Sequence, residues 1–185
     1  DTVPPCDTTE REMRTEAAFP GAGRGRAPGQ KGLTLPAEIL TPDEVLAIMA
    51  QRPDTVVGIR DRSIITVLYR AGLRVGEALA LRPKDVDMRA GSITVLHGKG
   101  DRRRTVGIDP GATPFLERWV EVRARQLAPP PGVPLFCSVK CRPMSRSMVG
   151  EMLKRSARGA GIDERVHPHG LRHTMAYELL MEGVP

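Results

Sequence analysis

Large apolar side chains are almost absent from the first 36 residues, and this uneven distribution decides where the chain can build a core. The segment holds five prolines and five glycines, and nearly its only large apolar residues are Val3, Met13, Phe19, Leu33 and Leu35. Such a segment cannot bury enough surface to offset the entropy cost of ordering it. We therefore predict a flexible tail or linker over residues 1–36 and one folded domain over residues 37–185.

The charge balance of the chain is basic. Its 185 residues include 28 Lys and Arg against 22 Asp and Glu, a net charge of +6 at pH 7. This excess favours an acidic partner such as nucleic acid. Aromatic residues make up only 3% of the chain, too few for the stacking platforms that bind single strands.

The sequence predicts neither a membrane-spanning segment nor a set of structural disulfide bonds. No run approaches the roughly 20 apolar residues that span a bilayer, and no secretory signal is visible, so we expect a soluble, intracellular protein without a membrane partner. Cys6, Cys137 and Cys141 are an odd number of cysteines in a chain that can fold without disulfides. A zinc site formed by the last two cysteines with His167 and His169 is an alternative to ordinary thiols, but its spacing lacks a second close ligand pair.

Residues 37–185 are divided by helix-start and helix-stop signals. T-P-D-E at residues 41–44 is typical of a capped helix start, and that helix is predicted to end near Gln51. Strands at 92–97 and 104–108 flank G-K-G-D as an antiparallel hairpin, and a short strand is predicted near 135–136. Further helices are predicted at 59–71, 75–80, 114–127, 145–158 (capped by Ser145) and 168–181. The expected fold class is α+β, mostly helical with a small antiparallel sheet.

A-G-L-R-V-G-E, residues 71–77, places a cation at a helix start. Gly72 ends one helix and Arg74 begins the next, where backbone N–H groups and a guanidinium together suit a phosphate oxygen. Glu77 lies three residues further on, close enough to orient the guanidinium. The alternative is an ordinary helix corner with a surface arginine.

H-G-K-G-D-R-R-R, residues 97–104, concentrates positive charge at the tip of the predicted hairpin. Lys99 stands between two glycines, where its ammonium can swing towards a ligand, and Arg102, Arg103 and Arg104 follow. The motif lacks the spacing of a phosphate-binding P-loop, so a solvated loop lysine is the alternative.

H-P-H-G-L-R-H-T, residues 167–174, gathers three of the four histidines of the chain. On a helix that begins near Pro168, His169 shares one face with Arg172 and His173. This face combines an anion site with groups that transfer protons. The alternative is a capped helix whose histidines are hydrogen-bonded in the core.

A more diffuse basic stretch follows Leu135. Six cations stand against Glu151, a local balance of +5 (six minus one), and this stretch suits a phosphate backbone. A solvated helix face is the alternative. The six cations are Lys140, Arg142, Arg146, Lys154, Arg155 and Arg158.

Two arginines, a lysine and a histidine together are able to form a clamp for a pentavalent phosphate. Guanidiniums neutralise the non-bridging oxygens, while lysine and histidine move protons. No acidic cluster with metal-ligand spacing accompanies them in the sequence. We therefore expect phosphodiester chemistry without a metal or other cofactor.

In order and content these segments resemble the catalytic domain of tyrosine recombinases, the phage integrase and Xer-like family, over about residues 37–185. L-T-P-D-E-V resembles its opening helix, and R-A-G-L-R-V-G-E-A-L-A-L-R-P-K-D-V-D its first arginine segment. H-G-K-G-D-R-R-R-T-V resembles its lysine hairpin, and H-G-L-R-H-T-M-A its His-x-x-Arg box. The resemblance implies catalytic roles for Arg74, Lys99, His169 and Arg172, with Glu77 and His173 in support.

The resemblance also implies the reaction, which is site-specific recombination of double-stranded DNA through a covalent 3′-phosphotyrosyl intermediate. Arg74 and Arg172 would bind the non-bridging oxygens, Lys99 would protonate the departing 5′-oxygen, and His169 would assist proton transfer at the nucleophile. A homo-oligomer on DNA, a tetramer, and a cytoplasmic, nucleoid-associated location are implied as well.

The sequence departs from the family pattern at both ends. In the family the box continues to a His or Trp and then the nucleophilic tyrosine, whereas this sequence ends at Pro185. Tyr69 is expected in the core, and Tyr177 lies about 140° around its helix from Arg172. Residues 1–36 do not supply the family's core-binding domain. We expect an incomplete catalytic domain that is inactive alone; the rivals are a non-enzymatic DNA-binding remnant and a type IB topoisomerase.

Overall fold

The computed structural model describes residues 39–96 and 103–183. Its helices are α1 (Pro42–Ala50), α2 (Val56–Tyr69), α3 (Val75–Ala80), α4 (Thr113–Val122), α5 (Arg146–Gly159) and α6 (Pro168–Met181). Its strands are β1 (Val86–Asp87), β2 (Ser92–Val95) and β3 (Arg104–Gly107). The predicted tail over residues 1–36 and the predicted positions of Lys99 and Arg102 lie outside the described residues.

Helix α2 lies at the centre of the core. Almost every residue from Gly58 to Tyr69 is buried, and the helix packs against α1, α3, α4 and α6. It begins three residues before the predicted start at Ile59, because the Thr55 hydroxyl caps it by accepting the Gly58 N–H at 3.2 Å. A helix that is buried on all sides has no polar face, so periodicity marks its limits poorly.

The sheet has three antiparallel strands in the order β1-β2-β3. The predicted hairpin is confirmed, with Val95 opposite Arg104 at the end of the described ladder. Ile93 and Val95 face the core. Strand β1 was not predicted, since two residues show no alternation that a sequence pattern can reveal. With six α-helices and this small sheet, the described residues have the predicted mostly helical α+β fold.

The helix of α4 continues to Leu127, the predicted end, but its type changes on the way. Regular α-helix ends at Val122, and a π-helix follows over Arg123–Leu127 and ends before Ala128, whose φ is +42°. Trp119 of α4 is fully buried and its indole N–H donates to the Leu135 carbonyl at 3.0 Å. The predicted strand near 135–136 is only an isolated bridge, between Cys137 and Pro143.

None of the described helices combines the length with the apolar character that crossing a bilayer requires. The longest, such as α2 and α5, have 14 residues. Helix α5 carries Arg155 and Arg158 on exposed positions, while Val149 and Leu153 pack into the core.

Two helical glycines provide a test of this packing. A Cβ on Gly58 would lie 1.9 Å from the Pro53 carbonyl oxygen, whereas a Cβ on Gly150 would meet nothing within 4 Å. We expect Gly58→Ala to lower the free energy of unfolding by about 1–3 kcal/mol through overpacking. Gly150→Ala, the matched control, should raise it by about 0.5–1 kcal/mol. Urea unfolding followed by circular dichroism measures both, and equal effects of the two substitutions would contradict the packing described.

Candidate active site

The site is built around a tight turn between α2 and α3. Gly72 in this turn has φ +57°, a left-handed conformation that favours glycine, and a Cβ there would lie 2.6 Å from the Met175 sulfur of α6. Its carbonyl accepts a hydrogen bond from the Arg172 guanidinium. The turn thus receives α6 closely and places Arg172 beside the segment that leads into Arg74.

Arg74 is the N-cap residue of α3, and Glu77 fixes it there. The Glu77 carboxylate accepts the Arg74 backbone N–H at 2.9 Å and its guanidinium Nη1 at 3.0 Å. The same carboxylate accepts both ends of the Arg104 guanidinium, Nη1 at 2.9 Å and Nη2 at 2.7 Å. Glu77 therefore holds two cations at once, one from its own helix and one from β3.

The Glu77 side chain is only 6% exposed, so its ionisation depends on these partners. Burial by itself raises the pKa of a carboxyl group. Hydrogen bonds from Arg104, and from the backbone and guanidinium of Arg74, outweigh burial and lower the pKa of Glu77 to about 2. Glu77 is consequently an anion at all physiological pH values.

Arg172 is half-buried and lies among other cations. Burial is the main cause that lowers the pKa of the Arg172 guanidinium, and the positive charges of Arg74 and Arg104 lower it further. The negative charge of Glu77 partly offsets these effects by raising this pKa. Arg74, Arg104 and Arg172 together bring three positive charges against one negative charge on Glu77, a net +2 (three minus one). An excess of positive charge at a partly buried site is suited to an anion such as phosphate.

Three histidines lie at the start of α6. His167 is the N-cap residue, and its Nδ1 accepts the Gly170 N–H at 3.0 Å. The Nε2 atoms of His169 and His173 are 2.8 Å apart, which places a shared hydrogen bond between them. Burial, then the charges of His173, His167, Arg172 and Arg74, lowers the pKa of His169. A neutral His169 imidazole near two guanidiniums is able to accept a proton.

The predicted basic residues of the C-terminal half have different surroundings. Lys140 and Arg142 are exposed, and Lys154 forms an exposed ion pair with Glu151 at 2.8 Å. The guanidinium of Arg146 lies over α3, so close to Gly76 that a Cβ there would be 2.7 Å from its Nη2. Among the described residues, Arg146 therefore brings a further guanidinium to the helix that Arg74 caps.

Arg103 and Arg104 were predicted together, but the structure places them differently. Arg103 is exposed, whereas the Arg104 guanidinium turns inward to Glu77. The sequence analysis grouped Arg104 with Arg102 and Arg103 at the basic tip and did not separate its role from theirs. Strand alternation was the signal that could have separated them, since Arg104 lies on the same half-buried side of β3 as Val106, and Thr105 faces out.

No three His, Cys, Asp or Glu side chains within residues 39–96 and 103–183 come together as metal ligands. Cys137 is buried, and burial raises the pKa of its thiol. The Cys141 thiol faces the Leu127 carbonyl at 3.7 Å. The alternative of a zinc site thus finds no support in the described side chains.

Comparison with known proteins identifies the family. The model of the phage integrase family matches residues 38–185. The chain belongs to the phage integrase family. Tyrosine recombinase XerD of Xanthomonas axonopodis is 39% identical over 153 residues, covering 78% of this chain and 50% of that protein. XerD of Pseudomonas aeruginosa is 36% identical over 155 residues, covering 83% of this chain and 52% of that protein. The chain thus spans about half the length of these curated relatives.

Solved structures agree with this assignment. XerA recombinase shares 28% identity at a TM-score of 0.70, over 84% of this chain and 53% of that one. XerH site-specific recombinase, crystallised with its difH substrate after cleavage, shares 28% identity at a TM-score of 0.68, over 83% of this chain and 44% of that one. The lambda integrase catalytic core shares the fold at 18% identity and a TM-score of 0.60, over 78% of this chain and 84% of that one. This integrase-family chain is a Xer-like tyrosine recombinase catalytic domain, as its motifs predict.

The low pKa of Glu77 predicts how its replacement changes the pH dependence of stability. Because the folded-state pKa of about 2 lies below the ordinary value of 4.5, ionised Glu77 stabilises the fold above pH 4.5, and this contribution is lost as pH falls towards 2. Glu77→Gln should lower the free energy of unfolding by about 3 kcal/mol near neutral pH. The difference from the wild type should shrink steadily below pH 4.5.

Urea unfolding at a series of pH values measures this difference. Glu117→Gln, on the exposed face of α4, is the matched control and should leave the pH dependence as it is in the wild type. A gap between wild type and Glu77→Gln that stays constant from neutral pH down to pH 2 would show that Glu77 is not stabilised as an anion.

Proposed function

We propose that this chain breaks and rejoins DNA strands as part of a site-specific recombinase that works through a 3′-phosphotyrosyl intermediate. The observation that carries the proposal is the meeting of Arg172 with the Gly72 turn that leads into Arg74, with His169 one helical turn away. The cluster of Arg74, Arg104, Arg172 and Glu77 carries a net charge of +2 (three minus one). This charge matches a pentavalent phosphorane dianion better than it matches a phosphodiester monoanion. Such a site binds the transition state more strongly than the substrate, and this difference accelerates the reaction.

Each side chain then has one task at the scissile phosphate. Arg74 and Arg172 neutralise its non-bridging oxygens, and Glu77 orients Arg74. Lys99, on the segment that joins β2 to β3, gives a proton to the departing 5′-oxygen during cleavage and takes it back during joining. His169 transfers the proton at the attacking oxygen, oriented by the contact with His173 that supports this role.

The attacking group itself is not expected to be either tyrosine of the chain. Tyr69 is buried, its hydroxyl donates to Glu178 at 2.5 Å, and burial followed by this hydrogen bond raises its pKa. Tyr177 lies five residues after Arg172 on α6, about 140° around the helix. The phosphate pocket is therefore best tested with a substrate that supplies its own aryl group.

In this proposal the DNA partner is double-stranded, and exposed cations contact its backbone. Lys140, Arg142, Arg146 and Arg103 are exposed and are assigned to phosphate contacts, together with Lys99 and Arg102, which lie outside the described residues. Lys154 contributes less because Glu151 neutralises it. The XerH structures, which hold difH DNA, support this partner, and assembly into a tetramer on nucleoid DNA is part of the proposal.

The first test uses a nicked duplex whose 3′ end carries a p-nitrophenyl phosphodiester, an analogue of the phosphotyrosyl linkage. The 5′-hydroxyl oxygen attacks phosphorus, the bond to the aryl oxygen breaks, and p-nitrophenolate leaves with the bonding electrons while the hydroxyl proton passes to Lys99. Arg172→Ala should slow joining by about 10²–10³-fold. Its nonspecific DNA affinity should remain within about threefold, because one guanidinium is a small share of the phosphate contacts.

The control for this test is His169→Ala. Nitrophenolate leaves without a proton, so this variant should lose far less on the aryl substrate than Arg172→Ala loses. The rate of joining is measured from the absorbance of released nitrophenolate and from the ligated product on a gel. The duplex is the sequence that the chain retains best from a random pool. Retention of DNA without any joining by the wild-type chain would overturn the enzymatic proposal in favour of a DNA-binding protein without catalysis. Joining without site preference would favour a topoisomerase.

The second test concerns the basic surface. Arg146→Ala should weaken DNA binding equally on all sequences and reduce the slope of log affinity against log salt by about 1. Lys154→Ala, matched in helix and in charge, should reduce the slope by clearly less, because Glu151 already neutralises Lys154. Fluorescence anisotropy over a range of salt concentrations measures both slopes. Equal slopes for Arg146→Ala and the wild type would remove Arg146 from the interface.

A further inference from the structure

Arg104 makes contacts that the proposed reaction does not use. Its guanidinium lies in a fork against Glu77, with Nη1 2.9 Å from Oε1 and Nη2 2.7 Å from Oε2. The Arg104 side chain is 34% exposed and Glu77 is 6% exposed. This planar two-bond geometry is available to arginine and not to lysine, so the contact constrains direction as well as charge.

The charges of this cluster explain why a second arginine is needed. A buried carboxylate requires a cation, and in α3 the available one is Arg74. If Arg74 alone neutralised Glu77, its own charge would be cancelled and little would remain for a phosphate. With Arg104 present, Arg74, Arg104 and Glu77 carry a net +1 (two minus one), so Arg74 is oriented by Glu77 and still electropositive.

Arg104 also connects the sheet to α3, because it lies on β3 and binds Glu77 of that helix. Arg104 pairs with Val95 at the end of the β2–β3 ladder that is nearest the segment joining the two strands. The fork to Glu77 therefore attaches this end of β3 to α3, the helix that Arg74 caps. One side chain thus links β3 to the helix start at which Arg74 lies.

We infer that Arg104 is a positioning residue of the phosphate site, which acts through Glu77 to orient Arg74, to preserve its charge and to tie the end of β3 to α3. The catalytic part of this inference rests on the proposed function. The competing explanation is that Arg104 itself binds a DNA phosphate, as its place among the arginines of the hairpin suggests. The two explanations predict different outcomes when Arg104 and Glu77 are changed together.

The decisive experiment is a double-mutant cycle with Arg104→Met and Glu77→Gln on the aryl phosphodiester joining reaction. Arg104→Met lowers the net charge of the cluster from +2 to +1 and leaves Glu77 to neutralise Arg74, so joining should slow at least about tenfold. The double variant restores +2 by removing one charge of each sign. It should therefore join faster than Arg104→Met alone. Direct phosphate binding predicts a double variant as slow as Arg104→Met, or slower.

Two further variants separate positioning from general damage. Arg104→Lys keeps the charge without the fork, so its joining rate should fall between those of the wild type and Arg104→Met. Arg125→Met removes a guanidinium that is 77% exposed and paired with Glu121, outside the site, and should leave joining unchanged. The salt dependence of DNA binding should be the same for Arg104→Met and the wild type; a slope reduced by about 0.9 would indicate a direct phosphate contact and overturn the inference.

A carboxyl titration by NMR decides the inference independently of catalysis. In the wild-type chain the Glu77 carboxyl should titrate near its pKa of about 2, and in folded Arg104→Met and Arg104→Lys this pKa should rise. A Glu77 pKa that stays the same in both variants would overturn the inference even if the wild type is active. Failure of the wild type to join DNA, combined with the expected rise in pKa, would overturn the proposed function and leave the positioning of Arg74 by Arg104 intact.

Discussion

The hydrogen bond from the Arg172 guanidinium to the Gly72 carbonyl joins parts of the chain that are 100 residues apart in sequence. The acceptor lies in a left-handed turn that favours glycine, and a Cβ on Gly72 would lie 2.6 Å from the Met175 sulfur of α6. Two other long-range hydrogen bonds hold the same helix: the buried Thr174 hydroxyl accepts the Leu40 N–H at 3.1 Å, and Tyr69 donates to Glu178 at 2.5 Å. Helix α6 is thus fixed at several points along its length. The position of Arg172 follows from the packing of the whole helix, so a substitution far from the phosphate pocket is able to displace it.

A second constraint is the burial of a single carboxylate among three guanidiniums. Coulomb repulsion between Arg74, Arg104 and Arg172 would drive these side chains apart, and Glu77 offsets it enough to hold them together while leaving positive charge for a ligand. Arginine suits such a cluster because it stays charged when partly buried and hydrogen-bonds in a fixed plane. A site organised in this way is preorganised before any ligand enters, which is the property that electrostatic catalysis needs.

Sequence patterns predicted those parts of the fold whose cause is local. The capping box at Thr41, the cap at Ser145 and the proline at the start of α6 involve residues within one helical turn, and their helices lie where these signals place them. Strand β1 was missed because two residues are too few to show periodicity. The helix end at Leu127 was predicted, but the change to π-helix after Val122 was not. These misses left the outline of the fold intact.

Pairs within one helical turn were predictable from the sequence, and pairs between distant segments were not. Helical spacing placed Glu77 within reach of Arg74, and His169 on one face with His173, and both contacts are present. The contact between Glu77 and Arg104 depends on which face of β3 packs on α3, 27 residues away. Helical spacing placed Tyr69 in the core correctly, but its bond to Glu178 spans 109 residues and leaves no local trace. Tertiary packing decides such pairs, and residue spacing within one segment does not contain that information.

The chemistry proposed for this pocket does not depend on where the attacking oxygen originates. Breaking and joining pass through the same pentavalent phosphorus, and the groups that stabilise its non-bridging oxygens serve both directions equally. A tyrosine oxygen and a 5′-hydroxyl differ in the proton that must be moved, which is the proposed task of His169 and Lys99. They do not differ in the charge on the phosphate that must be neutralised, which is the proposed task of Arg74 and Arg172. The phosphate pocket and the nucleophile are therefore separable in physical terms.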